Sequence, residues 1–354
     1  MGLGKNIRFK HYLILLLPVG ILLANITAFF PELIENVYST GLYPNVVQIF
    51  SIFTGIFPFS VGELIVIIFA LLIIHSLIYN LRKGKIRQFF INTLVAVSVI
   101  YFGFVIIWGL NYNRLPFAEI ANYNLQPVTR EELILVCEDL IDRANTLREK
   151  VDEDSNGTMQ INGGQSDIFS RASLGYEKAA EKFPELGGRY GRPKGVMISK
   201  VMAYAGISGI YFPFTGEANV NTLTPDYCLP STVTHEMAHQ RGFAREDEAN
   251  YIAYLTCVLH PDFDFQYSGT FLAMRNAMYA LSQYDYKTYL ELRKKYSEGI
   301  KSDLADLAAF WEKYEGPMER ISSEINDIYL KSNRQIDGIY SYNRMVDLLV
   351  AEYR

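Results

Sequence analysis

His235, Glu236, Met237, Ala238 and His239 place two imidazoles four positions apart, with a carboxylate directly after the first. In a helix, residues four apart stand one turn above each other on the same face, so both rings can be aimed at one ion. Glu236 lies about 100° around, where it can touch a water on that ion without binding the ion itself. That offset suits the general base beside a metal-activated water. Met237 and Ala238 turn away, toward a core. The chain holds only five histidines, which makes two of them at this spacing a pointed observation.

A tetrahedral zinc ion, Zn2+, bound by two histidines takes a third protein ligand and keeps its fourth position open. Gly242 can end the first helix with a left-handed residue and return a second helix beside it. On that second helix Glu246, Asn250, Ala253 and Cys257 share a face, with small residues where two helices must approach closely. Glu246 is therefore the expected third ligand. Glu248 is the alternative, but it points about 200° away on the same helix, so both cannot serve one ion. Asn250, one turn beyond Glu246, is expected to hydrogen-bond a ring nitrogen of a ligand histidine. A tetrahedral oxyanion needs a further donor, for which Tyr267 is the expected catalytic group and Tyr211 the alternative, because they flank the motif. His260, just before Pro261, reads as a helix-end residue.

HExxH followed by Glu246-x-x-Ala249-Asn250 resembles the gluzincin metallopeptidases, in which a Glu-x-x-Ala-Asp or Glu-x-x-Ala-Asn helix supplies the third ligand. The resemblance implies a zinc-dependent peptidase and assigns Glu246, not Glu248. Two departures stand out: Glu246 follows His239 by only seven residues, far closer than in typical gluzincins, and Asn250 stands where some relatives have Asp. The spacing also resembles metzincins, but their third histidine corresponds to Arg245, which cannot ligate a metal. Over nearly the whole chain, Gly109 to Pro116, Tyr211 to Asn219, the histidine segment and Tyr329 to Gln335 are similar to an uncharacterised family of multi-pass bacterial membrane proteins. That similarity implies fold and topology and names no substrate.

Nearly continuous apolar runs fall before residue 111, and mixed polarity follows. Runs at about 12–30, 61–79 and 89–110 are each long enough to cross a hydrocarbon core of about 30 Å as a helix. No small-residue cleavage site follows the first run, which argues against a removed signal peptide. Lys5, Arg8 and Lys10, and the connection Arg82, Lys83, Lys85, Arg87, place the N-terminus and the second connection in the cytoplasm. The stretch 31–60 has no Lys or Arg and reads as an outward loop, with 46–59 interfacial or re-entrant. The expected organisation is a three-span membrane anchor, 1–110, and an extracytoplasmic metal-binding domain, 111–354, with the lipid bilayer as a partner.

The fold expected is mainly α. The outward part should be an α+β zincin-like domain with a small sheet from the apolar runs 195–199 and 207–213, and a helical C-terminal part. Thr129 and Glu132 form a capping box that opens a helix to about Val151. A strand beside a metal-bearing helix can pair with the backbone of a peptide, so a peptide or protein is the expected substrate. A net charge of −5 without a basic stripe gives no footprint for nucleic acid. Cys137, Cys228 and Cys257 are too few and scattered for a disulfide framework, and free thiols are expected. The alternatives to a peptidase are a non-catalytic zinc-containing membrane sensor or assembly factor, and a zinc amidase acting on a cell-wall component.

Overall fold

The computed structural model describes residues 12–354 apart from 336, with no side-chain description for 341–343. Lys5, Arg8 and Lys10 lie outside the described residues. The first apolar run forms a 3-10 turn, Leu13–Leu15, and helix α1, Leu16–Thr27. It is not a straight span over 12–30. Pro31 opens the next helix, and the residue before a proline is pushed out of the helical region; Phe30 takes φ −133° and ψ 54°. The chain bends there by 104° into the helical stretch Pro31–Thr54, which is π-wound over Ile34–Leu42 and continues as α2, Tyr43–Thr54. Among the described residues two helices are long and apolar enough to cross a membrane by themselves, α3, Val61–Arg82, and α4, Ile86–Ile107. The bent pair could add a third span.

Of residues 31–60, which read as a loop in the sequence, 31–54 are helical because they pack against the part of the chain after residue 107. Ser39 donates to Asn111 Oδ1 at 2.8 Å, and Gly191 N–H donates to Ser51 Oγ at 2.7 Å. Lys194 Nζ donates to the carbonyls of Thr54 and Phe59 at 2.6 and 2.9 Å. Ser60 caps α3 by accepting from Glu63 N–H. The Glu63 carboxylate in turn accepts from Met197 and Ile198 N–H at 3.0 and 2.7 Å. Those two bonds lead the chain out of the sheet, so the run 195–199 ends in a short helix, Ser199–Tyr204, instead of a strand.

Beyond α4 the capping box at Thr129 and Glu132 forms in both directions and opens α5, Arg130–Arg148. The sheet has three strands, β1 Lys194–Gly195, β2 Gly209–Phe212 and β3 Glu217–Val220, in the order β1-β3-β2. β1 runs parallel to β3, and β2 antiparallel to it with Tyr211 opposite Ala218. Helices α6, Leu229–Gln240, and α7, Glu246–Val258, follow, then α8, Phe263–Tyr284, α9, Glu298–Tyr314, α10, Pro317–Ser332, and α11, Met345–Tyr353. The main core is built where α5, α6, α7, α8 and α11 meet, around Leu140, Val233, Ile252, Phe271 and Leu349. All three cysteines are unbridged, and the Cys257 thiol lies 3.3 Å from Thr234 Oγ1.

The seam between the apolar helices and the rest is fixed by a buried pair. Arg114 grips Glu35 with two bonds, Nη2 to Oε1 at 2.6 Å and Nε to Oε2 at 2.9 Å, and the two side chains are 1% and 7% exposed. Removing one partner of such a pair strands a buried charge, which costs about 3–5 kcal/mol. Arg114→Met should therefore lower the thermal unfolding midpoint in detergent markedly, and adding Glu35→Leu should recover much of the loss. A single variant as stable as the wild type would show that the pair does not hold the seam.

Candidate metal centre

Helix α6 begins with Pro230 in its first turn, where a missing N–H costs nothing, and buries Val233 and Met237. It ends as Gly242 takes φ +84°, a conformation that only glycine adopts freely. Phe243 N–H returns to Ala238 O at 3.2 Å and Gly242 N–H to His239 O at 2.9 Å, the paired bonds of a Schellman stop. The remaining carbonyls of this buried helix end are met from the membrane side of the molecule. Trp108 Nε1 donates to His239 O at 3.3 Å, and Tyr43 Oη to Gln240 O at 3.1 Å.

The same stop delivers the Phe243 carbonyl to 2.7 Å from His239 Nδ1. A carbonyl accepts only, so Nδ1 carries a proton, and Nε2 faces away from the backbone, where it offers a lone pair once its own proton is lost. His235 Nε2 lies 3.1 Å from it. Glu246, the first residue of α7, brings Oε2 to 3.1 Å from His235 Nε2 and 3.4 Å from His239 Nε2. Glu246 N–H is held by Gln335 Oε1 at 3.1 Å.

These three atoms fit a metal ion. Tetrahedral bonds of about 2.0–2.1 Å to nitrogen and oxygen set the ligand atoms about 3.3 Å apart, close to the separations found. Glu246 Oε2 is buried and forms no regular hydrogen bond, which a cation would remedy. Among the described residues His235, His239 and Glu246 form the one cluster able to hold an ion in this way.

Charge is concentrated at this wall of a cleft. For Glu246 burial opposes ionisation, but His239 and His235 overcome it and hold the carboxyl well below the usual range. Burial likewise works against a charged His239, yet the Glu246 carboxylate raises it to about 9. Glu236 is raised by burial to about 7, the two histidines pulling the other way. Its carboxylate receives the Tyr211 backbone N–H and presses against Gly209 of β2, where any Cβ would collide with Oε1. Gly209 is thus a requirement of the Glu236 side chain rather than of the strand.

Other residues expected at the site are placed as follows. Glu248 points elsewhere, accepting from Phe117 N–H at 2.9 Å beside Arg245, and burial pushes its carboxyl up. Asn250 lines the cleft one turn beyond Glu246. Tyr211 also lines it, with its hydroxyl 3.0 Å from that of Tyr43. Tyr267 is not at the cleft: it is fully buried, and its hydroxyl donates to Asp303, which also accepts from Arg148. That long-range pairing, invisible in the local sequence, turns Tyr267 into the core. His260 ends its helix with Nε2 on Arg171 O at 3.0 Å.

The cleft holds about 840 Å³. Its walls include residues that sequence reasoning had not placed there, among them Trp108, Arg275 and Tyr329. Tyr329 did lie in a segment singled out for its family resemblance. Its hydroxyl oxygen accepts from Tyr112 at 2.9 Å, leaving its own proton available to donate. β2 is an edge strand. Ser208 O bonds Asn221 N–H toward β3, and by strand alternation the polar backbone groups of Gly209 and Tyr211 face away from β3.

A family model described as "Protein of unknown function (DUF3810)" matches residues 38–350. No curated protein and no solved structure matches the chain.

The geometry separates the two acidic candidates. Purified Glu246→Gln should lose stoichiometric zinc while Glu248→Gln keeps it, as read by metal analysis; the reverse pattern would move the third ligand. Because the metal-free His239 imidazole is protonated below about 9, a cation must displace that proton. Zinc affinity should therefore fall about tenfold per pH unit as pH drops from 8 to 6, measured by chelator competition.

Proposed function

We propose that this chain, which belongs to the DUF3810 family of unknown function, is a membrane-anchored zinc-dependent peptidase. The reading rests chiefly on one observation: two imidazole nitrogens and a carboxylate oxygen converge within bonding reach of one ion, with the separate carboxylate of Glu236 buried beside them. A zinc ion held by His235, His239 and Glu246 supplies Lewis acidity toward water and toward a carbonyl oxygen. All other roles fall to the chain itself. Glu236, raised by burial to about 7, is matched to taking a proton from water at neutral pH and passing it to the leaving amine. The Tyr329 hydroxyl takes the donor role expected from sequence for Tyr267, donating a hydrogen bond to the carbonyl oxygen as charge develops there. The outward backbone groups of Gly209 and the carbonyl of Tyr211, whose N–H is taken by Glu236, align an extended substrate as an added strand.

The topology proposed has three spans, with the bent pair Leu13–Thr27 and Pro31–Thr54 as the first and the metal centre outside the cytoplasm. α3 begins and α4 ends beside the metal-bearing part, so the basic turn Arg82, Lys83, Lys85, Arg87 lies at the opposite end of the hairpin. Lysine and arginine at that end favour the cytoplasm. A topology reporter fused after Arg354 should score extracytoplasmic; a cytoplasmic signal would invert the orientation.

Glu236→Gln should keep its zinc and lose between about 100- and 10 000-fold of the turnover of a peptide library. Tyr329→Phe should keep zinc and lower kcat more than KM. If the wild type binds zinc, cleaves nothing in the library, and behaves as Glu236→Gln does, the zinc-containing sensor or assembly factor is the better reading.

A further inference from the structure

Helix α10, Pro317–Ser332, carries more apolar surface than the protein covers. Met318, Ile321, Ile325 and Ile328 recur at helical spacing along one face and are 49%, 58%, 62% and 68% exposed. Leu330 is the only residue of the helix that is buried. An isolated amphipathic helix of this length is marginal in water and needs its apolar stripe covered. The charged residues Arg320, Glu324, Asp327 and Lys331 occupy the far side of the helix from Ser322, Asn326 and Tyr329, which face the cleft. The apolar stripe lies between these two faces, with Ile325 at the rim of the cleft.

The position of α10 identifies what covers it. At its C-terminal end Tyr329 packs edge-on against Phe104, one turn before the end of α4, with ring centroids 6.4 Å apart. Just beyond, Arg334 Nη2 reaches Asn25 O and Oδ1, at the end of α1, at 3.4 and 3.3 Å. At its N-terminal end Glu319 lies against Gly206, whose Cβ position is 3.3 Å from Glu319 Cγ. The helix is thus a bar along the cleft mouth, level with the ends of α1 and α4. Those helices present lipid-facing residues such as Leu22, Ile26, Ile100 and Ile106, all exposed. Across the cleft, Met197 and Val201 are exposed too, and Met197 is pinned to the start of α3 by Glu63.

We propose that α10 lies in the bilayer surface, its Met318, Ile321, Ile325 and Ile328 face in lipid, as the membrane-side wall of the cleft. A helix with one apolar face at this depth is the form that interfacial burial favours. Resting on the peptidase reading, this makes the preferred substrate a polypeptide tethered to the same bilayer and cut close to its anchor. The floor of the cleft, Phe104 and Trp108, is itself the end of a candidate spanning helix.

The test introduces one further cysteine at a time for a spin label in the full chain in nanodiscs, with the wild type, whose Cys137, Cys228 and Cys257 are free, taken through the same labelling as the blank. Positions 321, 325 and 328 should be accessible to oxygen and protected from a water-soluble nickel chelate, while 320, 324 and 331 show the opposite. Free access of the chelate to 321, 325 and 328 would overturn the proposal. So would protection of those positions from both reagents with dipolar broadening, which would mark a second copy of this chain as the occupant. The same pattern in Glu246→Gln would show that lipid contact stands independently of the metal reading. If peptidase activity is present, a lipid-anchored peptide library in vesicles should be cleaved at least tenfold faster than the free library. The triple variant Ile321→Ser, Ile325→Ser, Ile328→Ser should abolish that preference. Equal rates on both libraries would remove the tethered substrate while leaving the peptidase reading intact.

Discussion

The carbonyl groups at the end of the histidine helix have to be satisfied away from water, and much of the structure follows from how that is done. A helix leaves its last four carbonyls without partners inside the helix. At an exposed end water would serve, but His239, Gln240 and Arg241 are buried. Gly242 turns two amides back, Arg241 Nη1 reaches Met237 O at 3.1 Å, and Trp108 and Tyr43 supply the rest from the apolar helices. The bonds that end the helix also orient the His239 ring through Phe243 O, so helix termination and ligand tautomer are one event.

The seam between the apolar helices and the metal-bearing part is built from charge rather than from grease alone. Glu217 of β3 accepts from Val61 and Gly62 N–H at 3.0 and 2.6 Å, serving as an acidic cap on α3, and pairs with Lys194 at 2.6 Å. Glu63 and Glu35 repeat the arrangement with other partners. Buried carboxylates that each have several donors hold a unique register, because any slip would leave a charge unpaired. The cleft inherits its shape from this seam.

What could be read from the sequence was what short-range geometry controls. The HExxH spacing, the glycine stop, the capping box at Thr129 and the choice of Glu246 over Glu248 as the residue facing the histidines all depend on angles within one or two helical turns. The failures have long-range causes. β3 was missed because Glu217 and Asn219 do not look like strand interior, yet all four of its residues are buried, Glu217 beside Lys194 and the start of α3. Tyr267 was assigned to the cleft by proximity in sequence, and Asp303 draws it into the core. Residues 31–60 hold no Lys or Arg, only Glu32 and Glu35, and read as a loop, since their polar partners lie some 70 to 200 positions away, as with Ser39 to Asn111 and Tyr43 to Gln240. Gly209 gave no signal at all, because its reason is the Glu236 side chain across the gap.

The contacts of Trp108 and Tyr43 with the histidine helix also bear on the order of events during synthesis. A ribosome makes Tyr43 and Trp108 more than a hundred residues before His239. The apolar helices can therefore be inserted in the bilayer before the histidine helix leaves the exit tunnel, and that helix then closes on a surface already standing. A chain whose apolar helices fail to pack lacks the donors that end the histidine helix.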